Sequence, residues 1–388
     1  MPTSLLFTPM SLRGLDLRNR IVIPPMGQYS AVEGMASDWH FAHLARFALG
    51  GAGLIIVEAT AVHRDGRITH GDLGLWSDEQ IAPLRRITAF LKAQGAAPGI
   101  QLGHAGRKSA MQRPWHGNGP LDDTDRMRGE DVWRVVAPSP VPTNGGWLMP
   151  ATLSLDEMAM LRACWRRATL RALEAGFEAV EVHGAHGYLL HEFLSPLANR
   201  RNDAYGGDRA GRMRFPLEVA ETVRAVWPKD RPVFFRVSAV DGADGGSTLD
   251  DTVALAQELK ARDIDVIDCS SGGISCPATA ARIPRPPGFQ VTYAERIRRE
   301  AGIQTMAVGL IFDAHHAEEV LRNGQADLIG IGREALYNPN WPHHAERALA
   351  GRADFQHWPV QAGWWLTRRE QWLDQRRSEH VASEALAR

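Results

Sequence analysis

Between Glu181 and Pro196 the chain reads EVHGAHGYLLHEFLSP, which sets His183 and His186 three residues apart and follows them with Tyr188, directly after an apolar run. Side chains of these types gathered in one turn can serve one reaction. Two neutral imidazoles donate hydrogen bonds to a carbonyl oxygen on which negative charge develops, and a phenol hydroxyl delivers a proton nearby. That combination suits chemistry passing through an enolate. Turn histidines bonded only to backbone are the alternative for each residue taken alone. A metal site of His183, His186, His191 and Glu192 is a further reading, but Gly184 and Gly187 bracket His186 and disfavour the helix that would align such ligands, so no metal is expected.

Other polar residues sit in similar places. Arg236 lies inside the apolar run VFFRVSA, where a buried charge must meet an anion, a strongly polar ligand or a salt-bridge partner across the fold. Gln101 and His104 close the run GIQLGH, and Glu58 and Thr60 close GLIIVEAT. Gly309 ends AVGLI, while Gly330, Gly332 and Arg333 end IGIGRE, so glycines and a cation gather where a phosphate could be held.

These residues stand within, at the end of, or in the turn just after short β-branched runs. The strand candidates are 20–26, 53–59, 98–104, 179–184, 232–239, 265–271, 304–310 and 327–333, each followed by an amphipathic helical stretch. This repeat predicts a (β/α)8 TIM barrel of the α/β class, with the strands' C-terminal ends forming the active face. Ser77 in SDEQ and Ser154 in SLDE fit capping boxes for two of the helices. A Gly/Pro/Asp/Trp-rich stretch, 111–152 after the third strand, is too long for a simple connection and reads as a lid loop. The tail 355–388 carries Trp358, Trp364, Trp365 and Trp372. No linker separates a second domain, so 1–388 is read as one barrel domain.

Composition excludes several function classes. A formal net charge of -1 gives no field to draw nucleic acid or anionic membrane. Cys164, Cys269 and Cys276 match neither zinc nor iron–sulfur spacing and read as reduced thiols. With no signal peptide or apolar span in view, a cytoplasmic location is the expectation.

The segments LFTPMSL, LRNRIVIPPM, GLIIVEATAV, QLGHAGRK, HGAHGYLLHEFLSPLANRRNDAYGG, FFRVSA, AVGLI and DLIGIGRE, in this order along nearly the whole chain, resemble the Old Yellow Enzyme family of FMN-dependent ene-reductases, its shorter bacterial branch in particular. The resemblance implies FMN across the barrel mouth, with Pro25, Met26 and Ala59 along the isoalloxazine. Gln101 is implied at its pyrimidine edge, Arg236 beside the reduced flavin, and the backbone near Gly309, Gly332 and Arg333 at the phosphate. NADPH or NADH then reduces the flavin, His183 and His186 hold the carbonyl of an activated alkene, a hydride reaches its β-carbon and Tyr188 protonates the α-carbon.

The sequence departs from that pattern at two places. Gly27 stands where the short branch commonly has a cysteine, which implies an altered flavin potential and a roomier site, while the substrate-facing Tyr29 is retained. The tail reads WPVQAGWWLTRR, similar to the variant in which a neighbour's tryptophan closes the pocket, so Trp365 or Trp364 is implied there in a homo-oligomer, a dimer or tetramer. Packing of the tryptophans on their own barrel is the alternative. Competing readings are a flavin oxidoreductase turned to nitro or quinone acceptors, and a non-redox phosphate-binding lyase barrel, for which Lys108 is the sole Schiff-base candidate considered. A dienoyl-CoA reductase lacks its cysteine cluster here, and a tRNA dihydrouridine synthase lacks its cysteine motif.

Overall fold

The computed structural model describes residues 4–275, 283–351 and 354–386, which leaves Cys276 outside the described residues. Eight parallel strands close a barrel: β1 (Ile21–Ile23), β2 (Leu54–Ala61), β3 (Ala97–Gly103), β4 (Ala179–Gly184), β5 (Val233–Ser238), β6 (Val266–Ser270), β7 (Gln304–Ala307) and β8 (Leu328–Gly330), with β8 pairing back onto β1. The (β/α)8 reading holds. Three strands, β1, β7 and β8, are shorter than expected, each for a local reason. Pro24 and Pro25 lack the N–H groups that would extend β1, and β7 and β8 give way at Gly309 and Gly332 to turns at the mouth.

Helices α1 (Asp38–Leu49), α2 (Ile81–Ala93), α3 (Leu155–Glu174), α4 (Arg209–Val226), α5 (Leu249–Lys260), α6 (Val291–Ala301), α7 (Ala314–Arg322) and α8 (Trp341–Ala350) surround the barrel. Both expected capping boxes form. Gln80 Oε1 accepts the Ser77 N–H at 3.1 Å, and Ser154 and Glu157 cap each other's amides at 3.2 and 2.8 Å. The helices bury their apolar faces against outward-pointing strand residues such as Ile21, Ile55, Val180, Phe235 and Ile267, each fully buried chain contributing about 1.5–3 kcal/mol.

Inward positions form layers, because side chains alternate along each strand. The floor is apolar: Val22, Leu54, Ile56, Ala97, Ala179, Phe234, Val266, Met306 and Leu328 pack together with Met10, Leu12 and Leu17 of an N-terminal hairpin that plugs the bottom. Two residues further along come Gln101, Glu181, Arg236 and Asp268; two further still come His183, Ser238 and Ser270. Polarity therefore rises in steps from floor to mouth.

The 111–152 stretch carries small elements of its own: turns at Pro114–His116 and Asp123–Met127, and a short parallel pair, Val136–Ala137 with Ala151–Thr152. It packs beside the mouth. Arg113 Nε donates to the Tyr29 carbonyl at 3.1 Å, and Trp133 Nε1 to the Asp65 carbonyl at 2.9 Å. The tail forms a long helix, α9 (Val360–Leu386). No described helix is long and apolar enough to cross a membrane.

Candidate functional site

The turn after β4 brings the three sequence-selected side chains together. The His183 and His186 rings meet edge to face with centroids 5.2 Å apart, and the Tyr188 ring lies 5.0 Å from His183, also edge to face. The backbone makes this possible by turning left-handed at His186 (φ 62°) and Gly187 (φ 75°). A side chain at Gly187 would run into the Gly273 carbonyl, so only glycine fits. A non-glycine residue held left-handed at a mouth is the kind of conformation that function sustains. The turn is anchored from below: His191 Nδ1 accepts the Gly187 N–H at 2.8 Å, and its Nε2 pairs with Asp241 at 2.8 Å. Asp241 also takes the Ser195 hydroxyl at 2.6 Å and the Ser247 N–H at 2.7 Å. His191 is thus a strut of the turn.

Burial drives both His183 and His186 far below the usual histidine range, with Arg236 adding to the effect, so both imidazoles are neutral. The Ala185 N–H points at His183 Nδ1 (3.4 Å), which leaves the proton of that ring on Nε2. His186 Nε2 is bonded to Ser270 Oγ at 2.7 Å. Lys108 reaches in from the turn after β3, donating to the carbonyls of His186 (2.7 Å) and Gly273.

A cavity of about 470 Å³ opens beside this cluster, within the roughly 300–1,000 Å³ of small-molecule sites. Pro25, Met26, His186 and Arg236 line it together with Gln290, Gly309, Gly330, Gly332 and Arg333. A Cβ added at Gly332 would project toward Pro24 and Met26, into the space itself. Two guanidinium groups and open glycine backbone on the wall of one cavity fit the flat ring and phosphate of FMN. His183, Tyr188 and Ala59 line a small adjoining cleft rather than this cavity.

Several selected residues lie elsewhere than expected. Gln101 is 1% exposed and spends its amide on Glu181, Nε2 to Oε1 2.8 Å. Glu58 does not open onto the mouth: it is buried at the β2 bulge, where the register shifts between Val57 and Thr60, and holds the Gln28 and Tyr29 amides. Arg236 satisfies both of its readings at once, lining the cavity while its Nε sits 3.0 Å from Asp268 Oδ2. The expectation of a roomier site at Gly27 is corrected, because the Tyr29 ring folds into the space a side chain there would take. Trp358 packs on its own barrel, stacked 4.8 Å from His343, but Trp364 and Trp365 stay 50% and 67% exposed on α9 and line no described part of the cavity.

Sequence reasoning missed Ser270, Ser271, Phe289, Gln290 and Arg285, all on the cavity wall. The period-2 pattern of β6 could have placed Ser270 inward. Ser271 closes the strand candidate 265–271, whereas nothing in the irregular stretch before α6 marked Arg285, Phe289 or Gln290.

Residues 5–352 match the NADH:flavin oxidoreductase / NADH oxidase family. The NADPH dehydrogenase of Geobacillus sp. (strain WCH70) is 44% identical over 348 residues, 89% of this chain and 95% of that protein. That of Bacillus subtilis (strain 168) is 43% identical over 346 residues, with the same coverage of 89% and 95%. Among solved structures, morphinone reductase superposes with a TM-score of 0.72 at 27% identity, covering 92% of this chain and 93% of its own. The old yellow enzyme homologue from Zymomonas mobilis gives 0.73 at 25% identity, covering 93% and 98%.

Proposed function

The chain belongs to the NADH:flavin oxidoreductase / NADH oxidase family and is an NAD(P)H-dependent FMN oxidoreductase; from that premise we propose that it acts as an ene-reductase on an alkene activated by a carbonyl or similar group. One observation carries this reading: two imidazoles kept neutral by burial meet edge to face beside a tyrosine, with His186 on the cavity wall.

Pro25, Met26 and Ala59 would hold the flavin ring, Gln101 and Arg236 its polar edge, and Gly309, Gly332 and Arg333 its phosphate. When bound, FMN supplies the β-carbon with a hydride taken from NAD(P)H. The remaining steps belong to the chain. The His183 Nε2–H donates to the acceptor oxygen, and His186 joins it once Ser270 turns away. Neutral donors suit a developing enolate because they stabilise it without surrendering a proton too early. Tyr188 then protonates the α-carbon. Lys108 keeps the His186 and Gly273 carbonyls in place, a structural task that argues against its serving as a Schiff-base nucleophile. Because nicotinamide and alkene use one cavity, the kinetics should be ping-pong.

Trp365, exposed and outside the lining of its own cavity, suits a lid role in a neighbouring copy of a homo-oligomer, and residues 111–152 a lid on the Tyr29 side. The hydrogen bond between His186 Nε2 and Ser270 favours one second reading, an acceptor needing a single strong donor, such as a quinone or nitro compound. An anaerobic visible spectrum separates the two. Flavin bleached by NADPH and restored by cyclohexenone supports the ene-reductase; restoration by a quinone alone supports the second reading. A lack of reoxidation by either class would end both.

A further inference from the structure

At and beneath the cavity floor lies a buried polar layer, two of whose members, Glu181 and Asp268, have no task in the reaction described above. Gln101, Glu181, Arg236 and Asp268 come from four successive strands, β3 to β6, and are 1%, 1%, 8% and 0% exposed. Gln101 Nε2 donates to Glu181 Oε1 at 2.8 Å, and Arg236 Nε pairs with Asp268 Oδ2 at 3.0 Å. The two carboxyls lie in hydrogen-bonding contact, yet Glu181 Oε2 and both Asp268 oxygens lack a hydrogen bond from any other donor. With both ionised, the layer would hold two negative charges and one positive in a dry interior, and the facing oxygens would repel. One proton placed between them removes the excess charge and makes the missing bond.

We propose that Glu181 and Asp268 share a single proton and act as positioning residues for the two cofactor-binding side chains above them: protonated Glu181 fixes the amide of Gln101, and ionised Asp268 holds and offsets Arg236. The orientation follows from donor and acceptor counting. The Glu181 hydroxyl donates to Asp268, so its other oxygen must accept, and Gln101 turns its NH2 inward. Its Oε1 is left to receive an N–H from a bound ring. Burial raises both carboxyls, and the 3.0 Å ion pair with Arg236 leaves the charge on Asp268. The other titratable groups nearby, His183, His186 and Cys269, are all kept neutral by burial, so none supplies a competing charge.

The proposal rests on FMN lying beside Arg236, and its test has one arm that needs no flavin. In the apoprotein, the infrared difference between wild type and Glu181→Gln should show loss of one protonated-carboxyl C=O band. In the FMN-loaded enzyme, Asp268→Asn leaves Arg236 without its counter-charge, favours the reduced flavin and raises the midpoint potential. Glu181→Gln keeps shape, charge and hydrogen bonds and leaves the potential where it was. Equal upward shifts in both variants would mean two ionised carboxyls and overturn the proposal, as would no shift in either or an unchanged carboxyl band. Should Asp268→Asn not fold, band loss with unchanged potential in Glu181→Gln supports the proposal, and any other pairing of those results overturns it. Failure of the wild type to take up FMN would instead refute the siting of the cofactor and leave the infrared result standing.

Discussion

Replacing Gly27 by alanine tests the way the mouth is packed. The new Cβ would lie 3.0 Å from Tyr29 Cζ, 3.1 Å from its Oη and 3.3 Å from Cε2, closer than a methyl group tolerates. Tyr29 cannot yield through its backbone, which is left-handed (φ 52°) and tied by its carbonyl to Arg113. The ring must swing, giving up its edge-on contact with Trp115 at 6.0 Å. Overpacking costs about 1–3 kcal/mol and a lost aromatic pair about 0.5–1.5 kcal/mol. Because the position is exposed and the ring can rotate, we expect Gly27→Ala to destabilise by roughly 1–2 kcal/mol, at the low end of those ranges. In a Tyr29→Ala background the same change should be nearly neutral. Denaturant titrations of the four proteins measure the coupling. If the single effects add within about 0.5 kcal/mol, the ring does not occupy that space and the reasoning fails. Gly27→Cys goes further: its thiol displaces the phenol that packs against Gly27, and both flavin potential and substrate range should move. No change in either would refute the role given to this position.

His183→Ala and His186→Ala should each slow enone-driven reoxidation about 10²–10³-fold while leaving reduction by NADPH far less affected, as stopped-flow absorbance would show. Tyr188→Phe should cost about 10²–10⁴-fold with an enone and little with a quinone, which needs no proton at carbon; equal losses with both would argue against a proton-donor role. Glu192, raised to about 8 by burial, binds a proton in the folded state that the unfolded chain releases near the ordinary carboxyl value of 4.5. Its contribution to stability is therefore greatest in acid and declines as pH rises through that interval, by about 1.4 kcal/mol per pH unit. Glu192→Gln should flatten that slope in melts from pH 5 to 8, and an unchanged slope would contradict the assignment. Trp365→Ala should raise KM for bulky enones without altering the flavin spectrum; identical KM values would return this residue to a surface role.

The barrel was legible because its signals are local. Eight β-branched runs at regular spacing predict eight strands, and polar residues at their ends predict a mouth. The cost of burying a lone charge also marked Arg236, inside its apolar run, as a residue that must meet a partner. It could not say which acid meets Arg236, since Asp268 becomes its neighbour only through the stagger between β5 and β6. Glu58 looked like a mouth residue for the same reason; a bulge at the end of β2 diverts it to hold backbone amides instead. The roomier site inferred from Gly27 failed because a missing side chain invites its neighbours in, and Tyr29 stands two residues away. Gln290 and Arg285 arrive from an irregular stretch with no periodicity to read.

The charge state of the mouth depends on residues that never reach it. The two imidazoles serve as donors only if neutral, and a buried Arg236 helps keep them so. The same guanidinium would pull strongly on any anion above it, and its pairing with Asp268 limits that pull while leaving its charge able to act at short range. Asp268 can remain ionised against Glu181 only if Glu181 does not, and Glu181 can stay protonated because Gln101 supplies the donor its free oxygen requires. Donor to the substrate, electrostatic partner of the cofactor and proton beneath them form one chain of dependence running up the barrel axis. Altering any link should therefore be read at the flavin as well as at the substrate.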